Sequence, residues 1–254
     1  VTPSSREWIP ASLAATNARS RLFCLPFAGG GASAYRTWSR ELPSHVQLVP
    51  VQLPGRENRL SEKSFTSTTT LVPELVAAMR PFLDRPFAIF GHSMGALLAF
   101  EATRALRRQS LPMPAHLFLS SHRAPQLPDL GTKVHRLEGQ AFIDELRALG
   151  GTPEEVLAHE ELMQIAGPIL RADFQLCETY AYTPEPPLDV PLAVYGGSDD
   201  PTVTRAALEA WREQTTDAMT LRLFPGHHLY LQQARGELLQ TLSAELRTLE
   251  HAGA

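Results

Sequence analysis

The stretch Gly91-His92-Ser93-Met94-Gly95 limits the possible folds more than any other part of the chain. It follows Pro86-Phe87-Ala88-Ile89-Phe90, a short apolar run of strand type, and precedes Ala96 to Arg108, which reads as a mostly buried helix. A serine with glycines two residues before and two after, set between strand and helix, suits a strained turn that projects the hydroxyl from the strand end. Cβ atoms at the two glycines would meet the neighbouring strand and helix. The helix starts directly behind Ser93, so its free N–H groups and positive dipole end face the place where an oxyanion would form. Because the five-residue pattern also fits a plain glycine-rich turn, its meaning depends on the rest of the chain.

Five further apolar runs read as strands: Arg21 to Pro26, Val46 to Gln52, His116 to Ser120, Val190 to Gly196 and Met219 to Phe224. Helical spacing separates them. It appears in Tyr35, Trp38 and Leu42, in a stripe over residues 66–84, around Ala206 to Trp211, and from Leu229 to Leu249. Alternating strand and helix predicts an α/β fold, a mostly parallel sheet with helices on both faces. Residues 1–20 are polar and turn-rich, with Trp8 as their aromatic anchor.

Residues 124–188 break the rhythm, because they contain no strand pattern. Ala141 to Leu149 is helical and stops at Gly150-Gly151. Glu160 to Ala166 is helical, and Pro168 is placed to open a further helix reaching about Tyr182. This span is expected to be a helical insertion over the strand ends, within a single domain covering 1–254. Extra packing helices without a functional role are the alternative. Gly150-Gly151 and Gly167-Pro168 are the expected joints.

A chain of 254 residues, 43% hydrophobic and 20% charged, has the composition and length for a large core. Its net charge of −4 offers no polybasic signature for nucleic acid. Arg104, Arg107 and Arg108 read as a solvated helix end. Cys24 and Cys177 lack metal-ligand spacing and read as thiols of a reducing compartment. With no signal-peptide pattern and no long apolar run, a cytoplasmic location without a membrane span is expected.

A serine hydroxyl needs a base, and the base needs an orienting carboxylate. The strand Val190 to Gly196 runs into Gly197-Ser198-Asp199-Asp200-Pro201, which places an acid at a strand end. One helix and one strand later comes Pro225-Gly226-His227-His228-Leu229-Tyr230. Ser93, Asp200 and His228 thus occur in the order nucleophile, acid, base, each at a strand end. Two backbone N–H donors are needed for the oxyanion. Met94, directly after the serine, is one candidate. Ala28, in Pro26-Phe27-Ala28-Gly29-Gly30-Gly31, is the other. The glycine-rich loop matches neither phosphate-binding motif. His92 points away from the nucleophile on such a turn and is assigned to packing.

The sequence resembles the stand-alone type II thioesterases that accompany polyketide and nonribosomal peptide synthetases. The resemblance is carried by Leu22 to Gly30, Gln52-Leu53-Pro54-Gly55-Arg56-Glu57, Gly91 to Ala96, Leu170-Arg171-Ala172-Asp173-Phe174 and Gly226-His227-His228-Leu229-Tyr230-Leu231. Two departures stand out: His227 replaces a usual glycine, and Ser64-Phe65-Thr66-Ser67 is more polar than the family's Pro-Phe version. The resemblance implies an α/β-hydrolase fold with a helical lid. It also implies hydrolysis of acyl groups from the phosphopantetheine thiol of acyl carrier or peptidyl carrier proteins. No metal or cofactor is implied, since the substrate carries the phosphopantetheine. His228, one residue from Tyr230, and Asp200, in Gly197-x-x-Asp200, match the family pattern better than His227 and Asp199.

Phe27, Phe174, Leu176 and Tyr180 are the expected substrate-binding residues, the last three on an apolar face that roofs the acyl chamber or packs on the core. Arg56 and Arg59 are candidates for meeting an acidic carrier domain or the pantetheine phosphate, with a solvated surface role as the alternative. A monomer is expected. No carrier domain precedes residue 1, which suggests the stand-alone form. A general small-ester hydrolase and a chain-releasing thioesterase domain of the same fold are the competing functions.

Overall fold

The computed structural model describes residues 7–9 and 18–248. Six strands form one sheet: β1 (Ser20–Leu25), β2 (Val46–Pro50), β3 (Phe87–His92), β4 (His116–Ser120), β5 (Leu192–Gly197) and β6 (Met219–Phe224). Their order is β2-β1-β3-β4-β5-β6, and every neighbouring pair is parallel. β1, β3 and β5 are buried along their whole length. That burial explains why they read as unbroken apolar runs rather than alternating ones.

Helices cover both faces. One core contains α1 (Thr68–Met79), α2 (Met94–Arg108) and, through Leu208, α6 (Arg205–Glu209). Phe100 of α2 meets Trp211 edge-on with ring centroids 5.2 Å apart, a favoured aromatic geometry. The opposite core joins Tyr35 and Trp38 of a 3₁₀ helix (Ala32–Arg40) to α8 (Arg235–Thr248). The predicted last helix is divided, since α7 (Tyr230–Gln233) precedes α8 with Ala234 between them. Most of the N-terminal arm, together with residue 249, lies outside the described residues. Trp8 is buried, with the Arg59 guanidinium 4.9 Å over its ring.

The segment between β4 and β5 contains α3 (Gly139–Leu149), α4 (Glu154–Leu157) and α5 (Glu160–Glu178), with no strand among them. It has a small apolar core of its own, built on Val134, Phe142, Leu146, Leu157 and Leu170. α3 stops at Gly150, whose φ of 67° closes the helix. The expected break at Gly167-Pro168 is absent, and α5 continues through Pro168. Pro168 and Gln164 are both exposed. The Gln164 carbonyl, which loses its amide partner to the proline ring, can therefore bind water. The arginines at the end of α2 also differ from expectation. Arg104 is buried, paired with Glu101 at 2.7 Å and Glu185 at 2.8 Å. Arg107 and Arg108 bind the same Glu185 and so clamp the segment's exit to α2.

Strand order reverses between β1 and β3, where the chain leaves toward opposite sides and opens a crevice at the carboxyl ends. The turn after β3 fits there only because of its glycines. A Cβ on Gly91 would lie 2.0 Å from the Gly95 carbonyl oxygen, and one on Gly95 would lie 2.3 Å from the Leu25 carbonyl oxygen of β1. Backbone atoms of a central strand cannot move aside. Gly95→Ala is expected to cost on the order of 3 kcal/mol. Gly236→Ala, where a Cβ meets nothing within 4 Å, should lose nothing and gain up to about 1 kcal/mol. Urea midpoints of the two variants measure both, and equal midpoints would contradict the packing argument.

Candidate active site

Ser93 occupies the turn between β3 and α2 with φ 53° and ψ −120°, a conformation a serine adopts only under constraint. The Ser93 N–H donates to the Ser120 carbonyl at 2.7 Å and its carbonyl accepts from Ala96 N–H at 2.9 Å. The backbone is thus fixed on both sides while the hydroxyl remains available. His228 Nε2 lies 3.0 Å from Ser93 Oγ, and His228 Nδ1 lies 2.8 Å from Asp200 Oδ2. The order of donors is therefore Ser93 to His228 and His228 to Asp200.

Asp200 is almost completely covered, its side chain 1% exposed, and Oδ1 accepts from the Thr202 N–H at 2.8 Å and the Thr202 hydroxyl at 2.7 Å. Burial pushes its carboxyl up, but hydrogen bonds from His228 and Thr202 and the attraction of His228 outweigh this and hold it below the ordinary range. It remains a carboxylate, able to stabilise an imidazolium. Asp199 is exposed and accepts from the Ser198 hydroxyl at 2.9 Å. His227 is also exposed, with Nδ1 2.9 Å from the Asp199 carbonyl oxygen. Of the two doublets, Asp200 and His228 therefore reach Ser93.

His92 packs beside His228. Its Nδ1 is 2.8 Å from Ser120 Oγ, which is itself 2.6 Å from Tyr230 Oη, and its ring centroid is 5.4 Å from that of His228. Burial, reinforced by His228, drives its pKa well below the ordinary histidine value. His122 is likewise pushed down to about 4 by burial, with Arg123 adding to the effect.

A cavity of about 70 Å³ opens beside Ser93, lined by Phe27, Ala28, Leu149, Phe174 and Leu229 among others. Phe27 and Phe174 were both expected there. Leu176 and Tyr180 were also expected but are absent from its wall. Leu176 is fully buried in the main core, and the Tyr180 hydroxyl donates to Glu101 at 2.7 Å near α2. Phe174 and Leu176, two residues apart, lie about 200° apart around α5, so Leu170 and Phe174 face the chamber while Leu176 faces the main core. Sequence reasoning missed Leu146, Leu149, Gly151, Thr152, Leu170 and Leu229. The Gly150-Gly151 stop signal was the one pointer to the first four. Thr202 was also missed, although Asp200-Pro201-Thr202 is a turn pattern in which the carboxylate caps the N–H two residues on.

Ala28 lines the cavity with Ser93, and Met94 begins α2, whose first N–H groups have no partner within the helix. Arg56 and Arg59 do not face a carrier surface. They are 3% and 5% exposed, Arg56 bound to Asp173 and Arg59 to Glu62. Among the described residues, no group of three or more His, Cys, Asp or Glu could hold a metal ion. No helix among them is long and apolar enough to cross a membrane.

Burial thus keeps His92 and His122 neutral, and neither places a positive charge beside Ser93 and His228. Asp200 adds stability that is complete at neutral pH. Because its folded pKa is depressed below 3.8, that contribution is lost as the pH falls below about 4.

The family model for the thioesterase domain matches residues 20–246. The gramicidin S biosynthesis protein GrsT of Aneurinibacillus migulanus is 42% identical over 241 residues, covering 95% of this chain and 94% of its own. The structure of the RedJ thioesterase from the prodiginine pathway of Streptomyces coelicolor superposes with a TM-score of 0.85 at 38% identity, covering 94% and 93% of the two chains. The type II thioesterase BorB from the borrelidin cluster superposes with a TM-score of 0.83 at 34% identity, covering 94% and 96%. The chain belongs to the thioesterase family, as a serine-based thioester hydrolase of α/β-hydrolase fold akin to the type II thioesterases of nonribosomal peptide and polyketide clusters.

Proposed function

We propose that the enzyme hydrolyses acyl groups from the phosphopantetheine thiol of acyl or peptidyl carrier proteins, through an acyl-serine on Ser93. The observation that carries this reading is the hydrogen-bonded chain Ser93–His228–Asp200 opening into a small apolar chamber under a helical segment. Ser93 Oγ attacks the thioester carbonyl while His228 Nε2 takes its proton. The oxygen that becomes negative is met by the N–H groups of Ala28 and Met94. The C–S bond breaks, and His228 returns the proton to the departing thiolate. Water, deprotonated by the same histidine, then attacks the acyl-serine and releases the free acid. The side chains and backbone supply this chemistry without a metal or cofactor. Residues 124–188 act as the lid of a single domain, and the enzyme works in the cytoplasm as a monomer, clearing stalled or misprimed carriers.

Ser93→Ala and His228→Ala should each lose about a thousand-fold or more in kcat. Asp200→Asn should lose less than Ser93→Ala and more than Asp199→Asn, and His227→Ala should stay near wild type. A dead His227→Ala beside an active His228→Ala would reverse the assignment of the base.

The size of the chamber favours short acyl groups. Acetyl to butyryl carriers should be hydrolysed faster than carriers bearing long chains, each fitting methylene gaining about 0.8 kcal/mol. Phe174→Ala should move the optimum to longer chains. Leu176→Ala should leave the profile alone and cost about 2–5 kcal/mol of stability. A panel of acylated carriers, run beside the corresponding free acyl cysteamines, measures both. Equal rates on carrier and cysteamine would favour a general small-ester hydrolase.

A further inference from the structure

Asp173 lies in the last third of α5, far in sequence from the nucleophile, yet it is 1% exposed and tied to the turn that carries Ala28. Its Oδ2 accepts from the Gly29 N–H at 2.8 Å and from Arg56 Nη1 at 2.7 Å, and its Oδ1 accepts from Arg56 Nη2 at 2.8 Å. Arg56 Nη1 also donates to the Gly30 carbonyl at 3.1 Å. The turn itself is closed by the Gly30 N–H on the Phe27 carbonyl at 2.9 Å, with Gly29 at φ +74°. One helical turn before Asp173, Leu170 presses on the same place, and a Cβ on Gly29 would lie 2.7 Å from its Cδ2. The carboxylate, the guanidinium and the leucine thus hold Phe27 to Gly30 from three directions.

A buried charge pair is weak evidence for stability, because desolvation offsets most of the attraction. Here the geometry is better suited to placement. The carboxylate accepts two bonds from a planar guanidinium and one from a backbone amide, which fixes the Ala28–Gly29 peptide in orientation and height. An oxyanion donor works only if its N–H points at the oxygen as charge develops, and a shift of 1 Å can cost about 100-fold.

We infer that Asp173, held in turn by Arg56, is a positioning residue for the oxyanion hole, so that seating of α5 on the turn completes the catalytic site. This rests on the assignment of Ala28 as a donor to an acyl-Ser93 intermediate. A Ser93→Ala variant that kept its activity would remove that assignment, whereas the variants below test the placement alone.

Asp173→Asn keeps the size but loses the charge that draws in both Arg56 and the Gly29 N–H. It should lower kcat by about 10- to 100-fold with KM within about two-fold. It should also weaken binding of an acyl trifluoromethyl ketone, which forms an oxyanion on the serine, by a similar factor. Arg56→Lys retains the carboxylate on Gly29 and should lose less than about five-fold in kcat, even where its melting temperature falls as far as that of Asp173→Asn. The inference is overturned if kcat follows melting temperature across the two variants. It is equally overturned if Asp173→Asn leaves ketone affinity unchanged. Should Asp173→Asn fail to fold, amide hydrogen exchange on the wild-type enzyme decides. Residues 27–31 should be protected to the same degree as 168–178, and free exchange of the turn beside a protected α5 would contradict the coupling.

Discussion

The close approach of three backbones beneath Ser93 is the constraint on which the rest of the molecule depends. β1, the end of β3 and the first turn of α2 meet so tightly that two of the contact points admit no Cβ. The approach holds Ser93 at a strained φ of 53° while its own N–H and carbonyl are both hydrogen-bonded. A residue in such a region costs about 1–3 kcal/mol and persists because the surroundings over-determine it. The surroundings in question are the fully buried strands and the two apolar cores that clamp them. The large core is therefore what keeps the serine off the sheet.

The same crossing point explains why the other groups lie where they do. Loops after parallel strands all emerge at one end, so residues far apart in sequence converge without long excursions. Asp200 and His228 follow adjacent strands, β5 and β6, and Ala28 follows β1 beside β3. Behind the base, His92, Ser120 and Tyr230 form a buried polar chain between the sheet and α7. His92 is kept neutral there by burial. A second positive charge beside His228 would oppose the imidazolium of the proposed proton transfer, and the neutral ring avoids that repulsion.

The strands, the elbow and the placement of Ser93, Asp200 and His228 at strand ends were legible in the sequence because each rests on local pattern. Buried strands read as apolar runs, and an acid or histidine at a strand end is visible once the strand is placed. Choosing between Asp199 and Asp200, or His227 and His228, took either family resemblance or coordinates, since neighbours in a loop differ only in which way they point. Arg56 read as a surface charge because nothing within its loop reveals a charged partner, whereas Arg59 has Glu62 three residues on but its burial under Trp8 is not visible locally. The partner of Arg56, Asp173, is 117 residues away. Pro168 read as a helix start because a proline in mid-helix is tolerated only where the orphaned carbonyl reaches water, which depends on the face it occupies. Leu176 and Tyr180 shared an apolar stripe with Phe174, and a stripe alone does not say where the chamber ends and the core begins.

These placements divide the helical segment into two parts of unequal attachment. α5 is joined to the body by the Arg56–Asp173 pair, by Leu176 in the main core and, just beyond its end, by Tyr180 on Glu101. Glu178 accepts the N–H groups of Val134 and His135, and Arg171 donates to the carbonyls of His135 and Leu137, so the turn before α3 moves with α5. α3 meets this body through apolar contacts of Phe142, Leu146 and Leu149 and through the Arg171 guanidinium 4.2 Å over the Phe142 ring. Apolar contacts are non-directional and can slide, whereas a buried ion pair that separates leaves charges uncompensated. Leu146, Leu149, Gly151 and Thr152 form one wall of the chamber beside Ser93. Widening the chamber for a larger acyl group therefore costs least by displacing α3 and the Gly150-Gly151 stop, with α5 and the turn from Phe27 to Gly30 left in place.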